Sequence, residues 1–485
     1  EQPSSLPTRS DAVIRLAVLA LAATLAVASP GCTQGERLPD LGGIYSRAAQ
    51  FHDGRRNPVI VIPGILGTKL HRAETHQVVW GAFGGDAVDP RQPPGAQAMA
   101  LPMAEGRPLA ALKDNIHPAG VLDSINVKVL GLSVEMKAYV RILSTLGVGG
   151  YRDQGLGMSS IDYGDKHYTC FQFDYDWRRD NAENAARLHR FIQEKSKYVS
   201  EERARRFNIT DEPVTFDIVA HSMGGLVARY YLRYGDQPLP DDGSLPELTW
   251  AGAKHVRRLV TVGTPNAGSI DSVQSLVDGV EFFPILPSYE PALLGTMPSI
   301  YQLLPRPRHR MVVDAAGEKP VDLYDTQAWQ DRGWGLADPD QDTYLQWLLP
   351  GEKDPARRRA IALDHLGKCL AQARAFHRAL DQPATPPPGT TLHSIAGDAV
   401  STASSLVVDA TGGITVQDTA PGDGTVLRQS VLLDERPGSA KPWTPVLRTP
   451  IRWNTVTFLF TDHLALTSDP AFTDNVLYLL LEAPP

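Results

Sequence analysis

The sequence has few cysteines and lacks the short motifs of the commonest metal and nucleotide sites. Its 485 residues include three cysteines, too few for the disulfide framework of a small secreted domain. No HExxH, paired CxxC or GxxxxGK[ST] pattern occurs, so the usual signals of zinc and P-loop nucleotide sites are missing. We therefore expect neither a cofactor nor a metal ion.

Positive charge is not in excess either. Forty-seven Lys and Arg stand against 55 Asp and Glu, a net charge of −8, which gives no overall field for attracting nucleic acid or an anionic membrane. We expect no nucleic-acid partner, and any membrane contact must be apolar or covalent. Because 42% of the residues are hydrophobic and 21% charged, the composition is that of a folded protein and excludes disordered, fibrous and multispanning classes.

The N-terminus has the pattern of an export signal over residues 1–31. Arg9 and Arg15 flank an apolar run, 16–28, that is shorter than the about 20 residues of a spanning helix and fits the apolar region of a signal peptide. The residues before Cys32 resemble a bacterial lipoprotein box, in which the cysteine becomes the lipid-modified first residue. The alternative is a plain secretory signal cut near Ala28. Both predict a location in the bacterial periplasm, at the outer membrane or outside the cell.

Two continuous apolar runs predict buried parallel strands, since a strand covered on both faces shows no alternation. The first, VIVI at 59–62, stops at Pro63-Gly64, a sharp loop whose backbone N–H groups can point inward. The second, 214–220, ends directly in HSMGG at 221–225, and the LVARYYLRYG that follows predicts a helix. Strand, tight turn and helix are the context of a nucleophile elbow.

Ser222 is the candidate nucleophile, although Ala220 stands where the usual elbow pattern has glycine. A serine hydroxyl needs an adjacent base, and on this fold the order along the chain is serine, acid, histidine. His463 is the favoured base because it follows the strand-like run VTFLF late in the chain. His365 and His377 lie in a helix-like stretch, where we expect surface histidines.

Two carboxylates are candidates for the acid. Asp423 lies in the glycine-flanked loop PGDGTV, about forty residues before His463, a loop type suited to presenting a side chain. Asp398 directly follows the strand-like segment 392–397 and remains the alternative.

Five motifs in this order carry a family resemblance: PGILGTKL, FDYDWRRD, AHSMGG, SIYQLLP and GDGTV. Over residues 57–470 the chain resembles the lecithin:cholesterol acyltransferase family, which includes lysosomal phospholipase and phospholipid:diacylglycerol acyltransferase relatives. The resemblance implies an α/β-hydrolase fold, with a mostly parallel sheet, helices on both faces and cap or lid insertions. It also implies a catalytic triad of Ser222, Asp423 and His463. The oxyanion N–H donors that it implies are those of Ile65 and Met223.

The domain organisation that we expect is one elaborated hydrolase domain behind the signal. Its parts are a linker at 32–56, a core at 57–272 with a lid or membrane-contact insertion at about 77–150, a cap at 273–390 and the rest of the core at 391–485. The cap is expected because 264–392 is much longer than one strand–helix connection needs. Its apolar residues, 282–286 and three tryptophans, predict either an acyl-chain funnel or lipid contact, or a small core within the cap.

Three further features leave alternatives. Trp80 stands where animal relatives have a lid tryptophan bounded by a disulfide, but no cysteine is near it. Asp176 with Arg178 or Arg179 forms either a buried ion pair or a phosphate-binding site. If Cys32 is lipidated, Cys170 and Cys369 remain, and an oxidising compartment permits their pairing.

The function implied is serine-dependent acyl hydrolysis or transfer on a phospholipid or related acyl ester, with a membrane surface as partner. Neither the acceptor, water or an alcohol, nor the oligomeric state is specified by the sequence. Two alternatives are a carboxylesterase for small soluble esters and a non-catalytic lipid-binding surface lipoprotein.

Overall fold

The computed structural model describes residues 39–81, 88–122, 125–129, 132–136, 139–157, 159–281, 288–317, 319–436 and 444–484. The predicted signal at 1–31, Cys32 and the apolar run 282–286 lie outside the described residues. Residues Leu41–Pro485 cluster into one unit.

Sixteen strands are assigned in the described part of the chain. In chain order they are β1 Val59–Ile62, β2 Thr68–Arg72, β3 Val78–Trp80, β4 Ile116–Val121, β5 Ile125–Val129, β6 Leu132–Met136, β7 Cys170–Gln172, β8 Phe216–His221, β9 Val256–Val262, β10 Val280–Glu281, β11 Ser288–Tyr289, β12 Val312–Asp314, β13 Thr391–Gly397, β14 Val400–Val408, β15 Ile414–Gly422 and β16 Thr455–Leu459.

The α-helices of the same residues lie between these strands and after them. They are α1 Leu41–Gln50, α2 Pro93–Met99, α3 Val140–Val148, α4 Asn181–Phe207, α5 Met223–Tyr234, α6 Ile270–Asp278, α7 Pro291–Leu294, α8 Pro298–Tyr301, α9 Thr326–Arg332, α10 Asp342–Leu348, α11 Pro355–Asp381, α12 Arg428–Leu432 and α13 Pro470–Leu477. None of the described helices is both long enough and apolar enough to cross a membrane.

Six strands form the central sheet, in the order β16-β13-β9-β8-β1-β7, and each neighbouring pair is parallel. The predicted VIVI strand is β1, and all four of its residues are buried. Alternate residues of β1 pack on opposite faces: Ile60 joins the apolar cluster of α4, α5 and α11, whereas Val61 joins that of α3 and α13. Both faces of the sheet are therefore covered, which explains the continuous apolar pattern.

The segment between α6 and β13 carries helices α7–α11 and has apolar packing of its own. Trp329 and Trp334 are buried and their rings meet edge to face at 5.6 Å. Trp347 is partly buried against that cluster and lies 5.0 Å from the ring of Tyr344. These tryptophans therefore belong to a packed core rather than to an open funnel.

Two expectations of surface exposure are wrong. His365 and His377 lie on α11, a helix of 27 residues, and both are buried. Their Nε2 atoms lie 3.1 Å from the Thr296 carbonyl oxygen and 2.7 Å from that of Gln302. The reason is that preceding segments of the chain pack on the side of α11 that carries both histidines, whereas Ala371, Arg374 and Arg378 on the same helix stay exposed.

The FDYDWRRD motif forms a buried ion pair. The Arg178 side chain is fully buried and binds Asp176 and Asp114, each at 2.7 Å. Trp80 is also buried, on β3, where its ring meets that of Trp177 edge to face at 5.5 Å. Cys170 and Cys369 are buried free thiols, on β7 and α11.

Candidate active site

The candidate nucleophile occupies a strained turn between β8 and α5. Ser222 has φ 51° and ψ −127°, a backbone conformation that costs a non-glycine residue free energy and is found where function requires it. Its amide donates to the Val262 carbonyl oxygen at 2.8 Å, which fixes the turn to β9. The strand, the strained serine and the helix that starts at Met223 are arranged as in a nucleophile elbow.

The small residues after the serine are required by close contacts. A Cβ atom on Gly224 would lie 2.3 Å from the Pro63 carbonyl oxygen, and one on Gly225 would lie 2.0 Å from Thr264 Oγ1. Both distances are far shorter than any contact between such atoms. The two glycines therefore let α5 approach the loop after β1 and the loop after β9.

Ser222, His463 and Asp423 meet in one hydrogen-bonded line. His463 Nε2 lies 3.0 Å from Ser222 Oγ, and His463 Nδ1 lies 2.8 Å from Asp423 Oδ2. All three side chains are buried. This is the geometry of a nucleophile, a base and a carboxylate that orients the base.

Main-chain hydrogen bonds hold the acid and the base in place. The second carboxylate oxygen of Asp423, Oδ1, accepts the amides of Thr425 at 3.0 Å and Val426 at 2.7 Å. The amide of His463 donates to the Asp423 carbonyl oxygen at 2.8 Å. Gly263, with φ 56°, leaves room for the imidazole, since a Cβ there would lie 3.1 Å from His463 Nδ1.

The alternative acid has a different partner. Asp398 lies 3.7 Å from the Arg428 guanidinium, and its amide donates to the Leu459 carbonyl oxygen. The structure brings Asp423, not Asp398, to the imidazole.

The loop after β1 lies against the serine and carries the predicted donor Ile65. A Cβ on Gly64 would lie 2.8 Å from Ser222 Cβ, so the loop backbone passes directly over the nucleophile. The other predicted donor, Met223, is the first residue of α5, where the helix supplies no acceptor for the amide. Both predicted N–H groups are thus on backbone that adjoins Ser222.

Three aromatic side chains fix that loop by hydrogen bonds. The Tyr175 hydroxyl donates to the Pro63 carbonyl oxygen at 2.9 Å, the Tyr139 hydroxyl accepts the Gly64 amide at 2.8 Å, and Trp80 Nε1 donates to the Leu66 carbonyl oxygen at 2.7 Å. The three side chains come from three separate segments of the chain. Trp80 therefore supports the loop after β1.

Sequence reasoning missed two titratable groups near the triad. His221, directly before the serine, has its ring centroid 4.9 Å from that of His463, and burial together with the His463 charge lowers its pKa to about 3. Burial raises the pKa of Asp271, at the start of α6, to about 6, and the Asp423 charge adds to the rise. The position of His221 beside Ser222 was a signal available in the sequence, but Asp271 had none.

A cavity of about 830 Å³ lies elsewhere in the molecule. Its lining includes residues at the start of β9, β13 and β16, among them Val256, Thr391 and Thr455. Ser222 follows the opposite, carboxyl end of β8, the end at which ligands bind in open parallel sheets. This cavity is therefore separate from the triad. No group of three or more metal-ligating side chains occurs among the described residues.

Comparison with known proteins supports the fold and a family likeness. Residues 158–332 match the lecithin:cholesterol acyltransferase family, a region that includes Ser222 but neither Asp423 nor His463. No curated protein matches the chain.

Three solved structures are similar to the chain over most of its length. A chain of the Tle4–Tli4 complex superposes with a TM-score of 0.52 at 16% identity, over 88% of this chain and 98% of that one. Lipase 1 from Pelosinus fermentans gives 0.33 at 14% identity, over 89% and 100%, and the mature lipase BlEst2 of Bacillus licheniformis gives 0.32 at 11%, over 89% and 94%.

The parallel sheet, the helices on both faces and the superposition on the chain of the Tle4–Tli4 complex confirm the predicted α/β-hydrolase fold. The family match supports the class of acyl hydrolases and acyltransferases that act on lipids. The chain is thus an α/β-hydrolase-fold protein that resembles the lecithin:cholesterol acyltransferase family over residues 158–332.

Proposed function

We propose that the protein is a serine-dependent lipid acyl hydrolase or O-acyltransferase that cleaves phospholipids or related acyl esters through an acyl-enzyme. The observation that carries the proposal is the line of contacts from Asp423 Oδ2 through both ring nitrogens of His463 to Ser222 Oγ, at 2.8 Å and 3.0 Å.

In the first step Ser222 Oγ attacks the ester carbonyl carbon while His463 Nε2 takes the hydroxyl proton. Asp423 orients the ring and stabilises the imidazolium that forms. The carbonyl oxygen becomes an oxyanion, which we expect the N–H groups of Ile65 and Met223 to bind. Removal of one such donor in other enzymes costs about 3 kcal/mol in the barrier.

Collapse of the tetrahedral intermediate breaks the bond to the leaving alcohol, which receives the proton from His463. In the second step His463 takes a proton from water or an acceptor alcohol, and the oxygen of that molecule attacks the acyl carbon. The bond between the acyl carbon and Ser222 Oγ then breaks, and His463 returns a proton to Oγ. Attack by water gives a fatty acid, and attack by an alcohol gives a new ester.

The surroundings of the base support a lipid substrate. Phe460 is 84% exposed and Leu464 51% exposed, and both lie within three residues of His463. Contiguous apolar patches on a protein surface mark contacts with proteins or membranes. We propose that Phe460 and Leu464 contribute to such a patch beside the triad, which would suit an ester presented from a lipid aggregate.

The test is to incubate the chain from Cys32 onward, made without lipid, with phosphatidylcholine vesicles that contain a long-chain alcohol. Ser222→Ala is the control, and the acyl products are identified by mass spectrometry. We expect fatty acid or alkyl ester from wild type alone, and their ratio distinguishes hydrolysis from transfer. If wild type and Ser222→Ala both release no acyl product from vesicles, and only wild type hydrolyses p-nitrophenyl butyrate, the small-ester alternative would replace this proposal.

We also propose that the chain is exported and possesses a lipid on Cys32. The support is the Arg9 and Arg15 charges, the apolar run 16–28 and the lipoprotein-like sequence before the cysteine. Expression in a bacterial host, fractionation and mass spectrometry of the mature N-terminus test this. A diacylated Cys32 is expected, a free N-terminus near residue 29 supports plain secretion, and an uncleaved cytoplasmic chain contradicts export.

A further inference from the structure

We infer that Tyr139 and His221 are positioning residues that tie the loop of the oxyanion donor Ile65 to the loop of the base His463. The inference rests on the proposed function, because it assigns a role in the same acyl-transfer site. Neither side chain touches the reacting atoms in the mechanism given above.

The first link joins Tyr139 to the loop after β1. The Gly64 amide lies 2.8 Å from the Tyr139 hydroxyl oxygen, and Gly64 directly precedes Ile65. The ring is fitted to this loop: a Cβ on Gly67 would lie 2.7 Å from Tyr139 Cε2. Tyr139 therefore fixes the direction of the peptide that leads into the proposed oxyanion donor.

The second link joins Tyr139 to His221, whose Nδ1 lies 3.2 Å from the hydroxyl oxygen. The third joins His221 Nε2 to the His463 carbonyl oxygen, also at 3.2 Å. Tyr139 and His221 are each 4% exposed. The three contacts form one buried path from the loop after β1 to the main chain of the base.

The chemistry of the end groups decides where each proton lies. A backbone amide only donates and a carbonyl oxygen only accepts, so Nε2 of His221 must carry a proton to bond the His463 carbonyl. Burial lowers the pKa of His221 to about 3, so the ring is neutral and Nδ1 is an acceptor. Tyr139 can then accept from Gly64 and donate to His221, and burial raises the pKa of its hydroxyl, which keeps that proton in place.

The result is that His463 is fixed on both sides of its α-carbon. Its amide donates to the Asp423 carbonyl oxygen at 2.8 Å, and its own carbonyl accepts from His221. Orientation of reacting groups matters steeply, since a displacement of about 1 Å can lower a rate about 100-fold. The path holds the oxyanion donor and the base in one frame around Ser222.

The experiment compares wild type with Tyr139→Phe and His221→Leu, using p-nitrophenyl ester turnover and the rate at which diethyl p-nitrophenyl phosphate modifies Ser222. His221→Gln, which keeps an amide donor near the Nε2 position, is the conservative variant. Tyr234→Phe is the matched control, because it also removes a buried hydroxyl, one that donates to the Ala379 carbonyl oxygen at 2.8 Å, far along α5.

We expect kcat and the Ser222 modification rate to fall about 10- to 100-fold in Tyr139→Phe and His221→Leu, with KM little changed. Partial recovery is expected in His221→Gln, and wild-type rates in Tyr234→Phe. A wild-type kcat in Tyr139→Phe and His221→Leu would overturn the inference and leave the proposed function standing. An equal loss of kcat in Tyr234→Phe would have the same consequence. If Ser222 of the wild type is not modified and the wild-type protein turns over no ester, the proposed function fails and the inference fails with it.

Discussion

Replacement of Asp423 by asparagine tests the orientation of the proposed base, because the surrounding backbone dictates how the amide must sit. Carboxylate oxygen Oδ1 accepts two amides, those of Thr425 at 3.0 Å and Val426 at 2.7 Å. In Asp423→Asn the amide oxygen must take this place, since an NH₂ group cannot accept from two N–H donors. The NH₂ group must then face His463 Nδ1, where Oδ2 lies in the wild type.

The consequence is a change of tautomer. With a donor at 2.8 Å, Nδ1 of His463 must accept, so the neutral ring carries its proton on Nε2, the nitrogen next to Ser222 Oγ. Such a ring cannot take the serine proton. The same change in a serine protease triad lowers kcat by about 10⁴, which corresponds to about 5 kcal/mol in the barrier, and we expect a loss of that order here.

The assay is steady-state turnover of a p-nitrophenyl ester near pH 7.5, with melting temperatures to verify folding. Asp398→Asn is the matched control, because Asp398 pairs with Arg428 rather than with the imidazole, and it should retain activity. Loss of activity in Asp398→Asn with full activity in Asp423→Asn would refute the assignment of the acid and the tautomer argument with it.

Three further predictions concern stability. In Gly225→Ala the new Cβ would lie 2.0 Å from Thr264 Oγ1. The variant should lose about 1–3 kcal/mol of unfolding free energy and all ester turnover. A variant with wild-type stability in urea unfolding and wild-type turnover would contradict the packing argument. Arg178→Met leaves the Asp176 carboxylate buried without its partner and should lower the unfolding free energy by about 3–5 kcal/mol. An unchanged midpoint of urea unfolding would contradict this role of Arg178. Burial lowers the pKa of His365 to about 4, below the 6.5 of an unfolded histidine. Between these two pH values the unfolded state binds more protons than the folded state. The free energy of unfolding therefore falls as the pH is lowered from 6.5 to 4, by about 3 kcal/mol in all. His365→Gln should remove this loss, which urea unfolding at pH 7 and pH 5 measures; parallel losses in both proteins would disprove the assignment to His365.

The sequence predicted the fold and the elements around the serine well, because their signals are local. The continuous apolar run at 59–62 reflects a strand covered on both faces. The turn at Ser222 needs small residues within three positions of it, so a short stretch of sequence is enough to indicate the turn. The order along the chain then restricted the acid and the base to residues after Ser222, where local context favoured Asp423 over Asp398 and His463 over the other histidines. The structure brings Asp423 and His463 together.

What could not be predicted depends on contacts between distant segments. The sequence around Tyr139 shows no pattern that points to Gly64, which lies 75 positions away. His365 and His377 show a polar residue type on a helix, and only the packing of the preceding helices reveals that they are buried. The surroundings of Trp80 are likewise set by β3 meeting the FDYDWRRD segment, a contact that no spacing rule gives.

Acyl transfer through Ser222 is best tested by mapping the covalent intermediate. Wild type and Ser222→Ala are mixed with excess p-nitrophenyl butyrate, quenched in acid within milliseconds and digested, and the peptides are analysed by mass spectrometry. We predict a burst of about one p-nitrophenolate per wild-type chain and a butyryl group on the peptide that contains Ser222, with neither in the variant. A butyryl group on another residue, or equal ester turnover by the two proteins, would contradict this prediction.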